Sequence, residues 1–162
     1  MSGGPERIAA PAAQRQNASM IDSPLATLRW NPVDAPPHLT GPALHLWRIP
    51  LRQGSDRSDG LGLQLLCTRQ RQRMQRLRSA EHRRRYLRTQ AGCRRILALY
   101  LDIDPAAISF GYGPAGKPTV ASHDRMIEFN LTNSGDLALL AVSAREPVGV
   151  DCELERARGN LL

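Results

Sequence analysis

The chain has 162 residues and a mass of 17.9 kDa, a length suited to one domain. Hydrophobic residues make up 41%, which argues against wholesale disorder, and no run approaches the ~20 apolar residues of a membrane span. Net charge is +7, but eleven arginines and the single acid Glu81 crowd into Arg69–Arg95, so that stretch carries +10 and the rest −3.

In chain order, Met1 to Gly41 holds half of the 12 prolines without sustained periodicity and reads as a disordered leader, with residues 1–42 outside the ordered unit. Met1 to Met20 has no apolar segment of the secretory kind. Order is expected to begin with a strand at Ala43 to Ile49, ended by Pro50 and followed by a polar loop over Gln53 to Gly62. A first helix is predicted over Leu63 to Leu77. A second, longer one is capped by Ser79 and runs to about Leu101. In it Tyr86, Cys93, Leu97 and Tyr100, widened by Leu87, Ala91 and Ala98, mark a buried stripe. Pro105 disfavours a helical Asp104 and closes the helix. Phe110 to Val120 reads as a turn-rich loop. Three strands are then expected, Ile127 to Asn133, Leu137 to Ser143 and Val148 to Glu153, as an antiparallel meander. The fold class is α+β, a long basic helix packed on a small antiparallel sheet.

The arginine cluster suits phosphate, because the planar guanidinium offers paired donors. With seven Phe, Trp and Tyr residues in all, a base-stacking platform of the single-strand-binding kind is poorly supported. Asp151 and Glu153 stand at i and i+2 on the expected last strand, which would put both carboxylates on one face, a pairing that suits Mg²⁺. Solvated acids at a strand end are the plainer alternative. Lys117 is the only lysine and lies in a Gly-Pro loop from which it could reach a phosphate. Thr132 and Asn133 sit at a strand end, where they serve a turn or donate to a ligand oxygen. The histidines form no triad and are read as non-catalytic. Cys67, Cys93 and Cys152 have no zinc spacing and read as reduced thiols of a cytoplasmic protein.

Taken in order, RRRYL (Arg83 to Leu87), RRILALYLDIDPAAI (Arg94 to Ile108), GKP (Gly116 to Pro118), FNLTNSGDLALLAVS (Phe129 to Ser143) and VGVDCE (Val148 to Glu153) carry a resemblance. The sequence resembles the N-terminal half of the surfactin-type 4′-phosphopantetheinyl transferases over about Leu44 to Glu153. That family moves the phosphopantetheine arm of coenzyme A to a serine of an acyl or peptidyl carrier protein and releases 3′,5′-ADP. The resemblance implies a holo-carrier-protein synthase with one half of a two-fold pseudo-symmetric fold over 43–155, a tail over 156–162, and a missing second half. It implies Mg²⁺ on Asp151 and Glu153, and coenzyme A held by Arg73, Arg76, Arg85, Lys117, Thr132 and Asn133. The family usually reads Ser-His-Ser-Gly where this chain has Thr132-Asn133-Ser134-Gly135, and Asn133 cannot carry the charge of that histidine. The family's general base and a further acidic ligand lie in the second half, and no WxxKE occurs in this sequence. The chain is therefore expected to be truncated and weakly active or inactive alone. The alternatives are a non-catalytic half-domain that binds coenzyme A or 3′,5′-ADP, and an Arg-rich nucleic-acid binder. The GKP loop and the VGVDCE segment speak against the second of these. No membrane partner is expected.

Overall fold

The computed structural model describes residues 6–9, 30–33, 38–39, 41–114, 116–121 and 127–154. The long helix expected after Ser79 is α3, Ala80–Leu101, and the Ser79 hydroxyl accepts from His82 N–H at 3.3 Å. Asp102 ends it in the left-handed region at φ 56°. Its inner stripe, Cys93, Ile96, Leu97, Tyr100 and Leu101, packs against Trp47, Ile49, Phe129, Ala138, Leu140 and Val142 of the sheet. Burial of these side chains is what pins the helix there, at about 25 cal/mol for each Å² of apolar surface taken from water.

The sheet has five antiparallel strands in the order β2-β1-β3-β7-β6. These are β1 Glu6–Ala9, β2 Asn31–Pro32, β3 Leu44–Pro50, β6 Glu128–Ser134 and β7 Leu137–Ser143. The mixed α+β class and the helix-on-sheet packing hold. Two short strands, β1 and β2, lie within the stretch read as a leader, and much of the rest of 1–42 lies outside the described residues, as does 156–162.

Three local expectations are corrected. The single helix over Leu63 to Leu77 is two helices, α1 Asp56–Leu65 and α2 Thr68–Gln75. α1 starts inside the expected loop because Ser55 and Ser58 form a reciprocal cap, with Asp56 and Asp59 in the first turn. Gly62 belongs in it for a packing reason, since a Cβ there would stand 3.2 Å from that of Ala91 on α3. The Phe110 to Val120 loop contains a small hairpin of β4, Phe110–Tyr112, and β5, Pro118–Val120.

The third correction bears on function. Val148 to Glu153 is not a strand of the meander. β7 is already paired on both edges, by β3 and β6. The segment instead follows β6 in the same direction at a nearly constant offset, tied by alternate β6 side chains. Asn130 Oδ1 accepts from Val150 N–H at 3.1 Å, and Ser134 Oγ from Leu154 N–H at 3.0 Å. Between them the Thr132 hydroxyl donates to Asp151 Oδ1 at 3.0 Å. Residues 130, 132 and 134 share one face of the strand, so Asp151 is held on the face of β6 opposite Phe129 and Leu131.

Candidate functional site

A cleft of about 600 Å³ opens between α2, α3, the β4–β5 hairpin and the end of β6. Its rim carries Arg69 and Arg73 from α2, His82 and Arg85 from the first turns of α3, and Asn133, Ser134 and Gly135 from the β6–β7 turn. Phe110, Phe129, Leu131 and Cys93 form its apolar wall. Arg69, Arg73 and Arg76 lie at i, i+4 and i+7, one stripe of α2. Among the described residues no ion pair engages Arg69 or Arg73. Arg85 is held by Glu81 at 2.7 Å and by Asp136 at 2.8 Å, which fixes its guanidinium at the rim. Burial pushes the Tyr86 hydroxyl up from its usual range, opposed by Arg73. Burial likewise raises the Cys93 thiol to about 12, so that cysteine is protonated and inert at neutral pH.

The cleft is built on a buried polar joint. Gln70, 3% exposed, donates from Nε2 to Gln90 Oε1 at 2.7 Å. Its Oε1 accepts from Cys67 N–H at 3.2 Å, the start of α2, and from Arg94 Nε at 2.9 Å. Arg94 is fully buried and donates further to the carbonyls of Pro105 and Ile108 at 3.0 and 2.9 Å. One side chain thus fastens α2 to α3, and another fastens α3 to the loop that leads into the hairpin.

The site residues implied by the resemblance fall into three groups. Arg73, Arg85 and Asn133 meet at the cleft. Lys117 stands beside it between the lining residues Gly116 and Pro118, and its Nζ donates to the Val148 carbonyl at 3.2 Å. Arg76, the exposed C-cap of α2, and Thr132, which faces Asp151, do not line it. Asp151 and Glu153 are both exposed. Asp151 Oδ1 also accepts from Cys152 N–H at 2.9 Å. Among the described residues no third His, Cys, Asp or Glu joins them. Two carboxylates open to water still fit Mg²⁺, which takes one or two protein oxygens and fills the rest with water and phosphate. Arg69, His82 and Tyr112 were missed. The i, i+4 spacing from Arg73 could have found Arg69, but only the fold brings in His82 and Tyr112.

No family model matches the chain. The chain is 37% identical over 132 residues to the 4′-phosphopantetheinyl transferase HetI of Nostoc sp., covering 78% of this chain and 54% of that one. It is 31% identical over 115 residues to slr0495 of Synechocystis sp., a provisionally named 4′-phosphopantetheinyl transferase, covering 70% and 45%. The chain spans about half the length of the curated relatives it matches. With the helix-on-sheet fold and the order of motifs, these similarities make the chain a member of the 4′-phosphopantetheinyl transferase family.

Proposed function

We propose that this chain supplies the donor-binding part of a Mg²⁺-dependent transfer of 4′-phosphopantetheine from coenzyme A to a carrier-protein serine. The observation that carries the reading is the cleft. Arg73 and Arg85 from the arginine-rich stretch and Asn133 from the FNLTNSGD segment converge there around a volume of about 600 Å³. Coenzyme A carries three phosphates, and an arginine rim holds phosphate by paired, charge-assisted hydrogen bonds. In the transfer, the serine oxygen bonds to the phosphorus next to the pantetheine arm and the bond to 3′,5′-ADP breaks. The serine proton goes to a base that the resemblance places in the second half. Asp151 and Glu153 would hold the metal, which when bound neutralises the pyrophosphate and polarises the phosphorus. Thr132 fixes Asp151, and Lys117 ties the hairpin loop to the acid-bearing segment. The partners are coenzyme A and an acidic carrier protein. The proposed place is the cytoplasm, where reduced thiols such as Cys67, Cys93 and Cys152 belong. No described helix is long and apolar enough to cross a membrane.

Calorimetric titration with coenzyme A tests the metal part. Mg²⁺ is expected to tighten binding by about tenfold, as a charge-assisted contact does. The Asp151→Asn, Glu153→Gln double variant should lose that increment and keep the metal-free affinity. An unchanged Mg²⁺ effect in the variant would remove these acids from the site.

A further inference from the structure

Among the described residues Arg94 is the one fully buried guanidinium, and it is also one without an acid. Arg85 and Arg88 are both held by carboxylates, Arg88 through two bonds to Asp59 at 2.7 and 2.8 Å. Arg94 meets only the oxygens of Gln70, Pro105 and Ile108, and its Nη2 is buried without a partner. Amide dipoles offset only part of the cost of taking a charge out of water, and a guanidinium cannot shed its proton to avoid it. The place of this charge gives it a use. Gln70 and Phe110 touch Arg94 and also line the arginine-rimmed cleft, and the Phe110 ring centroid is 5.0 Å from the guanidinium carbon. The cation therefore stands one side chain behind the cleft wall, with protein and not water between the two.

We propose that Arg94 is an affinity determinant of the cleft, a buried and uncancelled positive charge that attracts the phosphates of the donor through the wall without touching them. This rests on the reading of the cleft as the coenzyme A site. A charge is screened far less through protein than through water or salt, so its field reaches a ligand that the side chain never contacts. Arg73 and Arg85 at the rim are placed to bond the phosphates directly. Arg94 adds the field behind them. What leaves that field intact is the neutral partner Gln70, whose Oε1 accepts from Arg94 Nε at 2.9 Å. A carboxylate in that place would suit the buried guanidinium better and cancel its field. Stability and affinity for anions are therefore expected to move in opposite directions when residue 70 gains a charge.

The experiment uses the 162-residue chain and two probes, coenzyme A and inorganic pyrophosphate, with affinities measured by calorimetry. Arg94→Gln removes the charge and Arg94→Lys keeps it, and both break the forked hydrogen bonds of the joint. Arg94→Gln is expected to weaken coenzyme A by about tenfold, the effect of one charge about 10 Å away at an effective dielectric constant of about 20, and Arg94→Lys by less than about threefold. Gln70→Glu, which keeps the fold whatever the Arg94 variants do, should also weaken it by about tenfold while raising the urea midpoint. Equal losses in Arg94→Lys and Arg94→Gln would make Arg94 a structural residue only. Native affinity in Gln70→Glu would overturn the proposal even if neither Arg94 variant folds. If pyrophosphate binds with this pattern and coenzyme A does not bind, the donor reading falls and the role of Arg94 stands. If neither probe binds the native chain, both fall.

Discussion

Arg94→Ala is expected to lower the unfolding free energy by about 3–5 kcal/mol, from the buried acceptors it leaves unbonded and the cavity it opens. The guanidinium is fully buried, and its removal strands the carbonyls of Pro105 and Ile108 and one bond to Gln70 while opening a cavity. The same geometry predicts a gain of stability next door. Arg94 meets amide and carbonyl oxygens but no carboxylate among the described residues, and its Nη2 is buried without a partner. Gln70→Glu places a counter-charge at the Oε1 position, and Gln90 can keep its bond by turning its amide N–H towards it. A gain of about 1 kcal/mol is expected at pH 7. Arg94 would hold the new carboxyl below its unfolded pKa of about 4.3. The gain is then present above that pH and is lost as pH falls through the folded value. Urea unfolding of both variants at two pH values reads this directly. A stable Arg94→Ala chain, or a Gln70→Glu chain weaker than the native one at pH 7, would show that the joint is not what fastens α2 to α3.

The second large effect is on binding. Arg73→Glu replaces a cation that has no ion pair among the described residues with an anion at the cleft rim and is expected to weaken coenzyme A by about a hundredfold, at about 1.5–3 kcal/mol for a lost charge-assisted bond plus repulsion. Arg76→Glu makes the same charge change one turn further along α2, outside the cleft lining, and should cost less than about fivefold, since it loses no direct contact and an exposed charge in water is worth about 1 kcal/mol or less. Equal losses would mean that net charge, and not a formed site, attracts the ligand. That outcome would favour a polyanion binder with a steep salt dependence.

Local signals made the helix-on-sheet core legible. Ser79 capped α3, and the Cys93, Leu97, Tyr100 stripe gave its buried face, because both depend on near neighbours. The start of α1 was not legible. Gly60 and Gly62 suggest a loop until Ala91 is known to lie against Gly62. Val148 to Glu153 reads as a strand by alternation, but what decides pairing is a free edge. β3, from far earlier in the chain, had taken the one on β7. The site divided in the same way. Arg73 and Arg85 came from the arginine-rich stretch and Asn133 from a motif, whereas Tyr112 joins Arg69 only when the hairpin folds against α2. Arg76 and Thr132 were placed by the resemblance, yet Arg76 stands past the end of α2 as its C-cap, beyond the cleft lining, and strand alternation turns Thr132 to the opposite face.

Amide shift mapping during a coenzyme A titration locates the ligand directly. The arginine-rimmed cleft predicts the largest shifts at Arg73, Arg85, Asn133 and Gly135. A larger groove of about 890 Å³ on the other side of α3 is lined by Gly54, Ser55, Gly92 and Arg95 and should stay silent. Shifts concentrated there, or none at millimolar coenzyme A, would contradict a donor site between α2, α3 and the end of β6.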